Sequence, residues 1–270
     1  MSYPNIVYGD FGDEKIVSAA GTAARKIGGL PLGARMVLPD GRDYAHAYSE
    51  ANALAIGTLA VQKAVAGTSV NLAVATAATV GATSVALTMP ATTLVTANDQ
   101  YADGYLSVND EQGEGYTYKI KKSNTAAGAA NATFTLYPND PIKIALLDGT
   151  TQCTIRENEF YAVIARAAGT TAVGIPAGVP NVAVAASTYC WLQRNGPATL
   201  LSGGTVGVAG SPFAACTVEA SFQAWSDVKG ADSAAAGAET TVAPVSQQLG
   251  YVMVAPAASS EYFLGYLQLG

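Results

Sequence analysis

The chain has 270 residues, half of them apolar, with 13% charged, 8% aromatic and a formal net charge of −6. A pI near 4.7, with its densest basic cluster confined to Lys119, Lys121 and Lys122, argues against nucleic acid as a partner, because phosphate binding needs a Lys/Arg stripe. No run approaches the ~20 apolar residues of a membrane helix, so the mean hydropathy of +0.23 arises from short apolar runs that belong in a core or a subunit interface.

The apolar share is carried by Ala, Val, Leu and Ile, with abundant Gly and Thr, a composition that suits sheets with Thr-covered surfaces. The expected fold is all-β, of sandwich or barrel type, with short helical turns and an extended N-terminal arm. The arm covers residues 1–30 and a β-rich body covers 31–270, as one domain or as two β subdomains divided near 66–80.

In the arm, Tyr8-Gly9-Asp10-Phe11-Gly12-Asp13 is rich in turn residues and the segment to Gly29 has no sustained period. It reads either as an arm lying on a neighbouring subunit or as a free tail. The opening Met1-Ser2-Tyr3-Pro4-Asn5 lacks the basic flank and apolar core of a secretory signal. Pro39-Asp40-Gly41, between two alternating runs, predicts a hairpin: Pro presets φ, Asp bonds its own backbone and Gly takes the positive φ. A short helical turn is expected near Glu50–Ala55, followed by a strand.

From Val70 the pattern is β with few interruptions. Alternating runs at Val80–Leu87, Gly104–Asn109, Tyr116–Ile120 and Phe134–Tyr137 predict strands, followed by Ile142–Leu147 and Cys153–Arg156. The lysines near 120 alternate along one of these runs and read as a solvated sheet face. Further strands are expected at Phe160–Ala165, Ala172–Ile175, Asn181–Val184, Tyr189–Arg194, Ala198–Leu201 and Thr205–Val208. Gly230–Val242 reads as a surface loop, and two strands, Leu249–Val254 and Tyr262–Leu269, close the chain.

Residue types that carry chemistry are sparse. His46 is the single histidine, on the second strand of the predicted hairpin, and no nucleophile elbow accompanies it. It reads as structural and dispensable for function. Cys153, Cys190 and Cys216 are distant and odd in number, with no CxxC pair, and read as buried free thiols. Asp110, Glu111 and Glu114 share one turn; oxygen ligands there suit calcium, but the alternate-position acids of an EF-hand loop are missing, and an acidic turn tip is the reading. Glu157 and Glu159 match the spacing of a strand-borne carboxylate pair, or simply of exposed strand-end acids. No catalytic, cofactor or metal site is assigned. The 14 tyrosines outnumber the 6 phenylalanines. Tyr101, Tyr105, Tyr116, Tyr118, Tyr137, Tyr251, Tyr262 and Tyr266 fall on predicted strands, either as contact residues of a wet protein interface or as ordinary strand aromatics.

Three segments resemble small structural proteins of tailed-phage heads. Leu32–Arg42, with Val37-Leu38-Pro39-Asp40-Gly41-Arg42 and the following Ala53–Leu59, is similar to the opening of phage-encoded virion proteins. Tyr189–Ala198, containing Trp191, Gln193, Gly196 and Ala198, resembles a strand-turn of phage decoration proteins, and Leu249–Val252 with Glu261–Leu264 resembles their closing hairpin. The resemblance implies a non-enzymatic capsid decoration (cement) protein, made in the host cytoplasm and placed on the virion's capsid surface. Its implied partners are the major capsid protein and further copies of itself, as a homotrimer, without nucleic acid, membrane or cofactor. The longer Ala/Thr-rich middle and the Gly230–Val242 loop depart from that pattern.

Two other functions compete. Another phage virion component, such as a head fibre, tail or receptor-binding protein, would be expected to show repeats or a stalk. A glycan-binding β-sandwich or carbohydrate-active enzyme is favoured by Trp191, Trp225 and the tyrosines, but lacks a convincing carboxylate pair.

Overall fold

The computed structural model describes residues 6–19, 30–49, 51, 53–63, 69–91, 95, 98–126, 130–166, 174–203, 206–215, 221–224, 248–258 and 261–269. The chain divides into two compact units: unit 1 is Met1–Lys63 with Phe160–Gly270, and unit 2 is the intervening Ala64–Glu159. Numbering strands along the chain, unit 1 begins with β1 (Ile6–Tyr8), β2 (Ser18–Ala19), β3 (Arg35–Val37), β4 (Asp43–Ser49) and β5 (Ala60–Val61). Unit 2 holds β6 (Leu72–Thr76), β7 (Ser84–Thr88), β8 (Tyr105–Asp110), β9 (Thr117–Ser123), β10 (Asn131–Leu136) and β11 (Gln152–Arg156). Unit 1 resumes with β12 (Ile164–Ala165), β13 (Pro176–Pro180), β14 (Thr188–Leu201), β15 (Pro212–Ala215), β16 (Phe222–Ala224), β17 (Gln248–Val254) and β18 (Tyr262–Gln268). The chain is all-β, and its described helical element is a 3-10 turn over Asp13–Lys15.

Unit 2 is a closed barrel in the order β10-β7-β6-β11-β8-β9. Closure follows from the alternation in the sequence, because each strand sends every second residue inward. Leu72 and Val74, Val85 and Leu87, Leu106 and Val108, Tyr118 and Ile120, Phe134 and Leu136, and Cys153 and Ile155 make one buried cluster. A closed barrel leaves no unpaired edge. On its outside Lys119 lies over the ring of Tyr105, its cross-strand partner, at 3.8 Å. The β9–β10 register slips beside Thr135, so Lys121 is passed over in the pairing and both Lys121 and Lys122 face solvent.

Unit 1 is built on a 12-stranded sheet whose main path runs β1-β3-β4-β14-β18-β17-β15-β16. The Pro39-Asp40-Gly41 hairpin forms as the sequence predicts: Gly41 takes φ +82 and its N–H bonds to the carbonyl of Leu38, while β3 and β4 pair antiparallel. Its spine is β14, a 14-residue strand. The sequence reads a break at Asn195-Gly196-Pro197, with separate strands on either side. The chain instead bulges between Gln193 and Asn195, with Gly196 at φ +92, and continues. Pro197 is tolerated there because β4 ends opposite Asn195, so past the bulge β14 has lost that ladder and keeps β18. Phe213, Phe222 and Phe263 pack edge to face beneath β17 and β18, at centroid distances of 5.4 to 6.4 Å.

Several expectations differ in detail. Over 6–19 the N-terminal segment is extended but anchored, with β1 parallel to β3 and β2 paired to β14. No helical turn forms over the described part of 50–55; Leu54 bridges Val184 there. Apolar residues of 142–147 are held by single bridges such as Ala78 to Leu146 rather than in a strand. Cys216, Trp225 and the Gly230–Val242 loop lie outside the described residues.

Unit 2 is inserted between two strands that pair with each other, Val61 with Ile164 and Ala60 with Ala165. Both ends of the insertion therefore start from one antiparallel ladder that needs only a short connection. Replacing residues 64–159 with a short Gly/Ser turn is expected to leave unit 1 with a β circular-dichroism spectrum and a single cooperative denaturation transition.

Candidate functional site

The residues that sequence reasoning weighed for chemistry are committed to structure. His46 is fully buried on β4, between the rings of Tyr189 and Trp191 at 5.4 and 5.2 Å, with Nδ1 donating to the carbonyl oxygen of Pro31 at 3.2 Å. Cys153 and Cys190 are free and buried, and burial pushes both thiols up to about 12, far from the range of a nucleophile. They lie in different units. Glu157 and Glu159 fall beyond the end of β11, not on one strand face, and Gln100 donates to Glu157 at 2.6 Å. The acidic turn forms with Glu111 at φ +63 and its N–H on Asp110 Oδ1 at 2.9 Å. Among the described residues no group of three or more His, Cys, Asp or Glu is placed to hold a metal ion.

A buried polar cluster fastens the centre of unit 1. Gln193 is fully buried, and its Nε2 donates to the carbonyl oxygens of Asn195 at 3.2 Å and Pro197 at 2.7 Å, spanning the bulge. Its Oε1 accepts from Tyr44 Oη at 3.3 Å and from Asn181 Nδ2 at 3.1 Å. Tyr44 Oη in turn accepts from Arg42 Nη1 and Asn181 Nδ2, each at 2.9 Å. Burial raises the pKa of this phenol well above its ordinary value, outweighing the opposing pull of Arg42. Arg42 also meets Asp40 at 2.7 Å and Glu14 at 3.8 Å, while Glu14 accepts from the N–H of Gly12 at 2.7 Å. This chain of contacts ties the 3-10 turn of the N-terminal segment to β4 and β14. It left no signal in the sequence, because Tyr44 and Gln193 are 149 residues apart.

The surface of unit 1 has two features of binding character. Along 6–17 the fixed N-terminal segment holds large apolar side chains toward solvent: Tyr8 is 84% exposed and Phe11 64%, with Ile6, Ile16 and Val17 also exposed. On the sheet, paired residues share a face, so Pro197, Tyr266 and Tyr251 form one row across β14, β18 and β17. Asp43, Asn195 and Gln268 form the next row across β4, β14 and β18. Tyr266 of the first row and Asp43, Asn195 and Gln268 of the second line a groove of about 580 Å³, with Arg35 and Arg194 beside them. The tyrosines picked from the sequence thus divide. Tyr105, Tyr116, Tyr251, Tyr262 and Tyr266 are exposed, Tyr101 and Tyr118 are core residues, and Tyr137 is half-buried, donating to Asp103 at 2.6 Å. Compared with protein families, with curated proteins and with solved structures, the chain matches none.

Two outcomes follow from the buried groups. Gln193→Leu leaves two carbonyls and the Tyr44–Asn181 pair without their partner, and is expected to lower stability by about 3 kcal/mol in urea denaturation, against about 1 kcal/mol for Tyr44→Phe. The thiols, raised from 9.0 to about 12, make the native state bind more protons than the unfolded state in that window. Their contribution is complete below about pH 9 and is lost as pH rises toward about 12. Denaturation midpoints measured across this range are expected to fall, and to fall less in Cys153→Val.

Proposed function

We propose that the chain is a structural virion protein of a tailed phage that decorates and stabilises the capsid by binding the outer surface of the major capsid protein lattice. The observation that carries this reading is the apolar strip of the N-terminal segment. Tyr8 and Phe11 stand out from a backbone fixed by β1, by β2 and by the Glu14 contacts. An ordered strip of large side chains loses little further entropy on docking. Tyrosine suits wet protein interfaces because it couples a rigid ring to a polar tip. Many copies, each bound weakly, staple a shell through multivalency.

Several further observations support a binding role over a catalytic one. His46 and both described thiols serve the core, and the net charge of −6 disfavours DNA. The phage-like segments map onto working parts of unit 1: the β3–β4 hairpin, the bulged middle of β14 and the closing β17–β18 pair. In this reading the chain acts as a homo-oligomer, a trimer by the resemblance, with no membrane or cofactor involved.

The test uses Tyr8→Ser combined with Phe11→Ser, because deleting the segment would also remove β1 and the Glu14 contacts. The wild-type chain is expected to co-pellet with bare capsids assembled from the major capsid protein of the same genome. The double variant is expected to bind at least about tenfold more weakly with an unchanged denaturation midpoint, since about 1.4 kcal/mol of lost apolar contact suffices. A wild-type chain that ignores those capsids overturns the reading.

A further inference from the structure

We propose that the groove across β4, β14 and β18 is a saccharide-binding site. It occupies about 580 Å³ and is lined by Arg35, Asp43, Arg194, Asn195, Tyr266 and Gln268, with Gly33, Tyr44 and Ala45 beside them. The polar row Asp43–Asn195–Gln268 and the adjacent Pro197–Tyr266 row are set by sheet register, so their spacing is that of neighbouring strands.

Some hydrogen-bonding groups of this groove are engaged within the fold, among them Arg194, Tyr44 and Asp43, and others are open. Arg35 donates through Nε to Asp43 Oδ2 at 2.8 Å, which fixes the guanidinium plane, and its side chain is 53% exposed, with neither Nη hydrogen-bonded to a described residue. Asn195 Oδ1 accepts from the N–H of Gly196 at 2.9 Å, leaving its Nδ2 as a donor. The Gln268 amide and the Tyr266 hydroxyl make no hydrogen bond to any described residue, and both side chains face solvent. One open concavity thus gathers two guanidiniums, two side-chain amides and Tyr266, which offers both its hydroxyl and its exposed ring.

The chemistry of the occupant follows. A pyranose presents an apolar C–H face that stacks on an aromatic ring, and hydroxyls at its rim that both donate and accept hydrogen bonds. Planar amides and a guanidinium held in a row match that rim. A peptide added as a strand is disfavoured, because β4, β14 and β18 are already hydrogen-bonded to one another beneath the groove. The polar groups stand on paired strands and are pre-positioned, which a weak, hydroxyl-rich ligand requires. The groove meets the exposed N-terminal segment at Arg35, which pairs with Ile6 and lies within electrostatic reach of Tyr8, whereas Phe11 lies at Arg42, outside the groove's lining. A decorating chain would carry a second recognition element, for glycans, beside its docking strip.

The experiment titrates the full-length chain with maltotriose, cellotriose, chitotriose and trigalacturonate by isothermal calorimetry, up to about 10 mM, beyond a millimolar Kd. At least one is expected to bind. Tyr266→Ala and Gln268→Ala, both at exposed positions, are each expected to weaken that binding at least about tenfold while the denaturation midpoint holds. Phe11→Ser alone is expected to leave saccharide binding unchanged while weakening capsid docking, which separates this site from capsid docking. Failure of all four sugars to bind overturns the proposal, as does binding that neither Tyr266→Ala nor Gln268→Ala weakens.

Discussion

Unit 1 depends on one side chain doing the work of a missing ladder. Where β14 bulges, its backbone carbonyls lose regular partners, and Gln193 supplies them from its own amide N–H groups while its oxygen accepts hydrogen bonds from Tyr44 and Asn181. Buried carbonyls left unsatisfied would each cost on the order of 1–3 kcal/mol, so a bulge at this depth requires such a residue. The bulge shifts β14 against β4 but not against β18. Before it both faces of β14 are buried; beyond it Pro197 and Thr199 are exposed while Ala198 and Leu200 stay in the core.

The two units solve the edge problem differently. Unit 2 closes on itself, and its core residues belong to one cluster drawn from a continuous stretch of chain. Unit 1 stays an open sheet with β1 and β16 at the ends of its main path. Among its described residues the core falls into three separate buried clusters. An open sheet with exposed aromatic side chains along an ordered N-terminal segment is suited to contact, whereas a closed barrel with Thr, Lys and Tyr outside is suited to solvent.

What could be read from the sequence was what is local. Period-two alternation located the barrel strands because each buries one face, and Pro39-Asp40-Gly41 announced its hairpin because the turn needs those dihedrals. Non-local features gave no such signal. Asn195-Gly196-Pro197 looks like a loop to any local rule, and only Gln193 and the β18 partner make it strand. The N-terminal segment lacks periodicity because its ladders are two or three residues long and its fixing contacts reach Arg42 and β14. The groove was invisible for the same reason: Arg35, Asn195 and Gln268 are neighbours only by register.

The long separation between β4 and β14 also orders events in time. Tyr44 leaves the ribosome 149 residues before Gln193, which at ~5–20 residues per second is a delay of roughly 7–30 s. During that interval the contiguous barrel is made whole, while the β3–β4 hairpin and the apolar N-terminal segment have no spine to join. The nascent chain therefore passes through a stage with one finished module and one sticky, half-built sheet. Slow translation through the barrel lengthens the exposure of Tyr8 and Phe11 on that half-built sheet.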